Sequence, residues 1–255
     1  MCGRIALHTP PSRVARQLQA TVDPSVSEIP GPSWNVAPSK GLLAVGMTRP
    51  PSAAPDEAAV RTLTHLQWGL VPYWAKDPSI GNRMINARAE SVATKPAFRH
   101  AFARHRCLIV ADGFYEWRRE PDDPKRRTPF YFRRADGGLL LFAGLWDRWR
   151  DRTRPDDEAA MLRTGTIITT QAGPDLAAVH DRMPVVVEAD EVDRWLKGED
   201  GDVDVTAVSA LLRPSPAGVL VGHRVDPRVN NPRNDGPDLV DEAVDAEPEP
   251  SDRLF

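Results

Sequence analysis

The chain has 255 residues, 33 basic against 36 acidic for a net charge of −3, and is long enough to bury a substantial core in one domain. No apolar run approaches the ~20 residues that cross a bilayer, and no basic stretch leads into an apolar one ahead of a cleavage site, so neither a membrane span nor export is expected. Two cysteines, Cys2 and Cys107, without a CxxC pair, and six scattered histidines support neither a disulfide framework nor a zinc site, which implies a reducing cytoplasm.

The chain opens MCGRIALH. Removal of the initiator methionine ahead of a small residue leaves Cys2 with an α-amine and a thiol on one residue. These titrate near ~8 and ~8.5, so a useful fraction of each is reactive at neutral pH. Such a 1,2-aminothiol condenses with aldehydes: the amine forms an imine, and the thiolate closes a five-membered thiazolidine on the same carbon. Cys2 also fits as a small hydrophobe leading a first strand, Ile5-Ala6-Leu7. A Ser12 cap then predicts a helix over 13–20, with further helical patterns at 190–197 and 205–212. Strand-like runs cover 42–47, 66–70, 107–110, 129–132, 139–145, 166–170, 184–188 and 219–225. Pro- and charge-rich loops fall at 50–59, 120–128 and 151–159. Strands joined by hairpin-like loops, with helices at the edges, predict an α+β fold: a single domain with a mainly antiparallel, barrel-like β core and peripheral helices.

From Val240 onward six acids (Asp241, Glu242, Asp245, Glu247, Glu249 and Asp252) face Arg253 alone. That composition predicts a folded domain over 1–239 and a disordered acidic tail over 240–255. Taking those six acids and one arginine away leaves 32 basic and 30 acidic residues, close to +2. Between residues 82 and 106 the bias is stronger: Arg83, Arg88, Lys95, Arg99, Arg104 and Arg106, with His100 and His105, face only Glu90. Such a run reads either as a solvated face or as a groove that follows phosphates.

Four polar clusters offer chemistry. Asn86 and Arg88 stand two apart on an extended segment. Glu116 lies among the aromatics of Asp112-Gly113-Phe114-Tyr115-Glu116-Trp117, where desolvation would raise its pKa toward that of a general acid or base; it also reads as a strand glutamate paired with an arginine. His180 opens His180-Asp181-Arg182-Met183-Pro184 and suits either catalysis or a hydrogen-bonded structural role. Asn35-Val36-Ala37-Pro38 and Trp68-Gly69-Leu70-Val71-Pro72-Tyr73-Trp74 carry aromatics that are core by default.

These pieces occur in the order that marks one family. MCGR at 1–4, NVAPS at 35–39, WGLVPYWAKD at 68–77, MINARAES at 84–91, ADGFYEW at 111–117, HDRMPV at 180–185 and VNNPRNDGPDL at 229–239 resemble SRAP, the SOS response-associated peptidase-like proteins. Ala111 departs from a frequent proline, and the acidic tail is an extension. The resemblance implies a protein that traps abasic sites in single-stranded DNA covalently, Cys2 closing on the C1′ aldehyde of the opened deoxyribose. It implies that Asn86 holds the Cys2 end and the sugar, that Glu116 moves protons at the amine and ring oxygen, and that His180 assists ring opening and imine chemistry. Arg4, Arg88 and Arg182 would face phosphates, Thr169 would hydrogen-bond near the lesion, and Pro38 and Trp74 would stack on bases without sequence preference. No metal or other cofactor is expected, and the partner is abasic single-stranded DNA, bound by a monomer in the cytoplasm or on the nucleoid. Two other readings remain: a cysteine-nucleophile peptidase or amidohydrolase using Cys2, His180 and Glu116, which would also cleave off Met1, and a noncatalytic single-strand binder. A competing strand-cleaving lyase step stays open.

Overall fold

The computed structural model describes residues 2–29, 31–49, 58–123, 125–154, 157, 160–197 and 204–243. Two β-sheets share one hydrophobic core. Five strands close into a barrel: β4 (Gly41–Thr48), β5 (Val60–Trp68), β7 (Arg106–Ala111), β10 (Leu140–Arg150) and β11 (Met161–Gln171). Neighbours are antiparallel except at the seam, where β5 and β11 run parallel with Gln67 opposite Thr164 and Trp68 opposite Gly165. Leu42, Leu43, Ala44 and Val45 are all fully buried, as are Leu108 to Ala111. Such unbroken apolar runs suit strands covered on both faces. The seam depends on Gly69, whose φ of +124° is open to glycine; a Cβ there would lie 2.6 Å from the Gly81 carbonyl oxygen.

The second sheet has the order β13 (Leu220–Arg224), β9 (Arg127–Arg134), β8 (Gly113–Arg119), β1 (Ile5–Leu7) and β3 (Ser33–Val36). The chain crosses from barrel to sheet at Asp112, between β7 and β8. Its carboxylate accepts the backbone N–H groups of His8 and Thr9 at 2.7 and 2.9 Å, pinning the end of β1 to this corner. Alternation along β8 sorts its side chains: Phe114 joins Phe132 and Phe142 in the main core, whereas Tyr115 packs with Tyr131 and Ala6 on the far face. Glu116, two residues beyond Phe114, therefore points to the barrel side and is 2% exposed. Two short strands extend β11 near its end: β6 (Asn86–Arg88), parallel with Arg88 opposite Thr169, and β12 (Arg182–Pro184), antiparallel with Gln171 opposite Arg182.

The α+β, barrel-based architecture agrees with the expectation, but several elements differ. Helix α1 spans Pro11–Leu18: Pro10 precedes it, Pro11 occupies the first turn with its preset φ, and Ser12 lies inside rather than capping it. Helix α2 (Arg99–Arg104) falls within the basic run and shows too few apolar positions to be recognised. A 3₁₀ turn at Ala189–Glu191 leads into α3 (Val192–Leu196), and α4 (Val205–Ser209) follows an Asp204 cap and ends short of 212. Of the strand predicted at 184–188, β12 takes Pro184, and Val186 makes a single bridge to Phe142. Most of the loop at 50–59 and of the acidic tail lies outside the described residues. Val240 and Ala243 are still tied to β13, through bonds to His223 and Arg224. Among the described residues no helix is long and apolar enough to cross a membrane.

Candidate functional site

Cys2 sits fully buried ahead of β1, where the main core meets the second sheet. The Asn86 amide donates from Nδ2 to the Cys2 carbonyl at 2.7 Å, so β6, paired with β11, holds the backbone just ahead of β1. Asn86 Oδ1 is buried and has no hydrogen-bond partner among the described residues. That leaves an acceptor beside Cys2 with its lone pairs uncommitted, a costly arrangement unless a ligand group fills it.

Burial pushes the Cys2 thiol well above its ordinary pKa, and the nearby Glu116 carboxylate adds to the rise. Burial also raises Glu116 to about 7. His180 is pushed the other way, below the usual imidazole range, again chiefly by burial. Its Nε2 lies 3.9 Å from Glu116 Oε2, and its Nδ1 accepts the Arg182 N–H at 2.9 Å. A ring nitrogen that accepts a backbone N–H carries no proton, so the neutral imidazole is protonated on Nε2, toward Glu116. The exposed Asp181 carboxylate also approaches Nδ1, at 2.9 Å, a contact that becomes attractive when Nδ1 carries a proton. Around pH 7 the pair therefore consists of a carboxyl near half protonation and a neutral imidazole whose N–H faces it, a pairing suited to moving protons.

The residues expected at DNA fall into two groups. Arg88 is exposed on β6, and Trp74 is 44% exposed. Pro38 is half-buried, followed by Ser39 in a left-handed conformation with φ 70°. The others are engaged with protein. Arg4 donates to Asn35 Oδ1 and the Val229 carbonyl at 2.6 and 2.7 Å. Arg182 bonds the Thr169 carbonyl at 2.6 Å and grips Glu90 with both terminal nitrogens. Thr169 is fully buried, its hydroxyl 3.5 Å from the Ala87 carbonyl.

The basic run needs one correction. Arg106 is 4% exposed and donates to the carbonyls of Phe102, Ala103, Trp195 and Lys197, so it joins α2 and α3 to the barrel and offers nothing to a phosphate. Conversely, Arg118, Arg119 and Arg127 line a groove with Glu116 and His180. The pair that follows GFYEW was the only sequence signal for it. Tyr73, 49% exposed beside Trp74, is a further surface aromatic that a core assignment hides. Asn35 is structural: its amide nitrogen donates to the carbonyls of Val229, Asn231 and Asn234, which ties NVAPS to the closing VNNPRND segment.

Comparison with known proteins places this geometry in context. The chain is 36% identical over 242 residues to the abasic site processing protein YoqW of Bacillus subtilis, covering 94% of this chain and 99% of that one. It is 28% identical over 272 residues to the abasic site processing protein HMCES of Pongo abelii, covering 94% and 75% of the two chains. A crystal structure of a protein from Bacteroides thetaiotaomicron matches the fold with a TM-score of 0.78 over 95% of this chain and all of that one, at 22% identity. A profile for the SOS response associated peptidase (SRAP) family matches residues 1–232, and the chain belongs to that family.

Proposed function

We propose that this protein processes abasic sites in single-stranded DNA by linking itself covalently to them through Cys2. Once Met1 is removed, the Cys2 amine attacks the C1′ aldehyde of the ring-opened deoxyribose and expels water to give an imine. The thiol then adds to the imine carbon, its proton passing to the nitrogen, and a thiazolidine closes. The observation that carries this reading is the convergence on Cys2 of a buried carboxyl with a pKa of about 7 and an amide that holds the Cys2 carbonyl. Relatives 36% identical to this chain and named abasic site processing proteins support the substrate class.

The electrostatics favour an order of events. A thiol driven upward by burial is not a poised thiolate, whereas triad-type cysteine nucleophiles need a depressed pKa. The amine is then the first nucleophile and the thiol the second, with Glu116 taking and returning protons and His180 donating to the sugar ring oxygen as it opens. The unsatisfied Asn86 Oδ1 would accept a sugar hydroxyl. Glu116 would also serve hydrolysis of the Met1–Cys2 bond by taking a proton from the attacking water, which accommodates the peptidase in the family's name. Arg88, Trp74 and Pro38 would hold the strand on either side of the lesion.

The test is incubation of the mature protein with a single-stranded oligonucleotide bearing one abasic site, followed by denaturing electrophoresis. A shifted band in wild type and none with Cys2→Ala is expected; equal bands would overturn the assignment.

A further inference from the structure

Scattered in the sequence and unpromising there for metal binding, two histidines and an aspartate meet in the fold away from Cys2. His100 lies on α2, His105 directly follows that helix, and Asp147 stands on β10. One ligand atom from each lies within 4.8 Å of the other two. His105 Nδ1 is buried and has no hydrogen-bond partner among the described residues; Asp147 Oδ1 is 3.6 Å away. The Asp147 carboxylate is 4% exposed and held in place by the backbone N–H groups of Tyr73 on Oδ2 at 3.0 Å and Arg148 on Oδ1 at 2.9 Å. The His105 carbonyl accepts the Trp146 N–H at 2.9 Å, locking the end of α2 to the strand that carries Asp147. The His105 ring also packs on Trp146, and the His100 ring on Tyr73.

We propose that His100, His105 and Asp147 form a binding site for one divalent transition-metal ion, with Zn²⁺ the best fit. Two imidazoles and a carboxylate are a borderline nitrogen and oxygen set, which zinc accepts and which magnesium or calcium, needing oxygen cages, do not. Ligands about 2.0 to 2.2 Å from a tetrahedral ion stand roughly 3.3 to 3.6 Å apart, so the His105 to Asp147 spacing is already suitable. A small rotation of His100 completes the three-ligand set, leaving the fourth position to water. The backbone N–H groups on Asp147 act as outer supports that fix the carboxylate's orientation. An ordinary His105–Asp147 charge pair would explain neither the third ligand nor the buried Nδ1 at 3.6 Å, beyond hydrogen-bond distance. The Arg104 charge acts on His100, and the Arg148 guanidinium lies over Trp146, on which His105 packs, so micromolar rather than nanomolar affinity is expected.

The experiment is titration of the metal-free, Cys2→Ala full-length chain with Zn²⁺ by calorimetry and with Co²⁺ by visible absorption. Removing the terminal thiol leaves the cluster untouched and eliminates a competing soft ligand. One ion per chain, the intense visible d–d bands of a four-coordinate Co²⁺ without sulfur-to-cobalt charge transfer, and a loss of affinity of at least tenfold in His100→Ala support the site. His100→Ala removes a ligand without opening the barrel core, and Asp147→Asn, checked for folding by circular dichroism, should lose affinity likewise. No saturable binding up to about a millimolar, or binding unchanged in His100→Ala, would overturn it.

Discussion

The Asn86 amide donates to the Cys2 carbonyl at 2.7 Å, while its own oxygen is buried without a partner among the described residues. One side chain thus fixes the Cys2 backbone and offers an acceptor to whatever arrives beside it. Asn86→Ala should slow crosslinking by about tenfold to a hundredfold, the scale of losing one oriented contact in a preorganised site. Affinity for undamaged single strands should stay within about twofold of wild type. Single-turnover gels beside fluorescence anisotropy separate the two; parallel losses in both would make Asn86 a general binding residue.

Glu116 imposes a cost on stability. A carboxyl whose folded pKa of about 7 exceeds its unfolded value near ~4.3 holds its proton more tightly in the folded state. Its contribution is fully present below pH ~4.3, is lost as pH rises to about 7, and stays lost above that. The loss is on the order of 4 kcal/mol at most. Urea unfolding at pH 5 and pH 8 should show wild type losing stability relative to Glu116→Gln as the pH rises, while the variant crosslinks slowly at both. A difference between the two proteins that does not change with pH would mean that Glu116 is charged throughout.

The crosslinking rate should carry an inflection near pH 7 in wild type that is missing in Glu116→Gln. His180→Ala should lower the rate but retain the inflection, because its titration lies below the usual imidazole range. An inflection retained in Glu116→Gln would assign it to the Cys2 amine instead.

Two arginines from the same basic run should behave oppositely. Arg88 is exposed, and if it meets a phosphate, Arg88→Ala should reduce the log–log salt slope of single-strand binding by about 0.7. Arg106 is buried on four carbonyls, so Arg106→Leu should leave the slope alone and cost about 2 to 4 kcal/mol of stability. Anisotropy across a salt series and denaturant melts distinguish them.

What the sequence made legible follows from how local each signal is. The apolar runs 42–47, 107–110 and 139–145 are strands because both their faces are covered, and no partner need be known to see that. Helix α1 was legible but misplaced at its start, since Pro11 sets its first turn where Ser12 resembled a cap. A barrel-like core was expected, but the strands that close it were not legible, because β5 and β11 meet in parallel across about a hundred residues of chain. Glu116 stood out through its aromatic neighbours, and β8 alternation explains its burial. The fates of Arg4, Arg106 and Arg182 were hidden, because a charge reads the same in sequence whether it meets solvent, a carbonyl or Glu90. The His100, His105 and Asp147 cluster was hidden for a similar reason, one of its members coming from a distant strand.

The most direct test of the central claim is the intact mass of the product formed when mature protein, beginning at Cys2, meets an abasic single strand. Amine attack, loss of water and ring closure predict a species at the sum of the two masses less one water, stable to denaturation without added reductant. A chain acylated at the Cys2 amine should bind the strand and give no such species, since an amide nitrogen cannot attack an aldehyde. The same adduct at the same rate from the acylated chain or from Cys2→Ala would contradict the account and send the search to a side-chain nucleophile elsewhere.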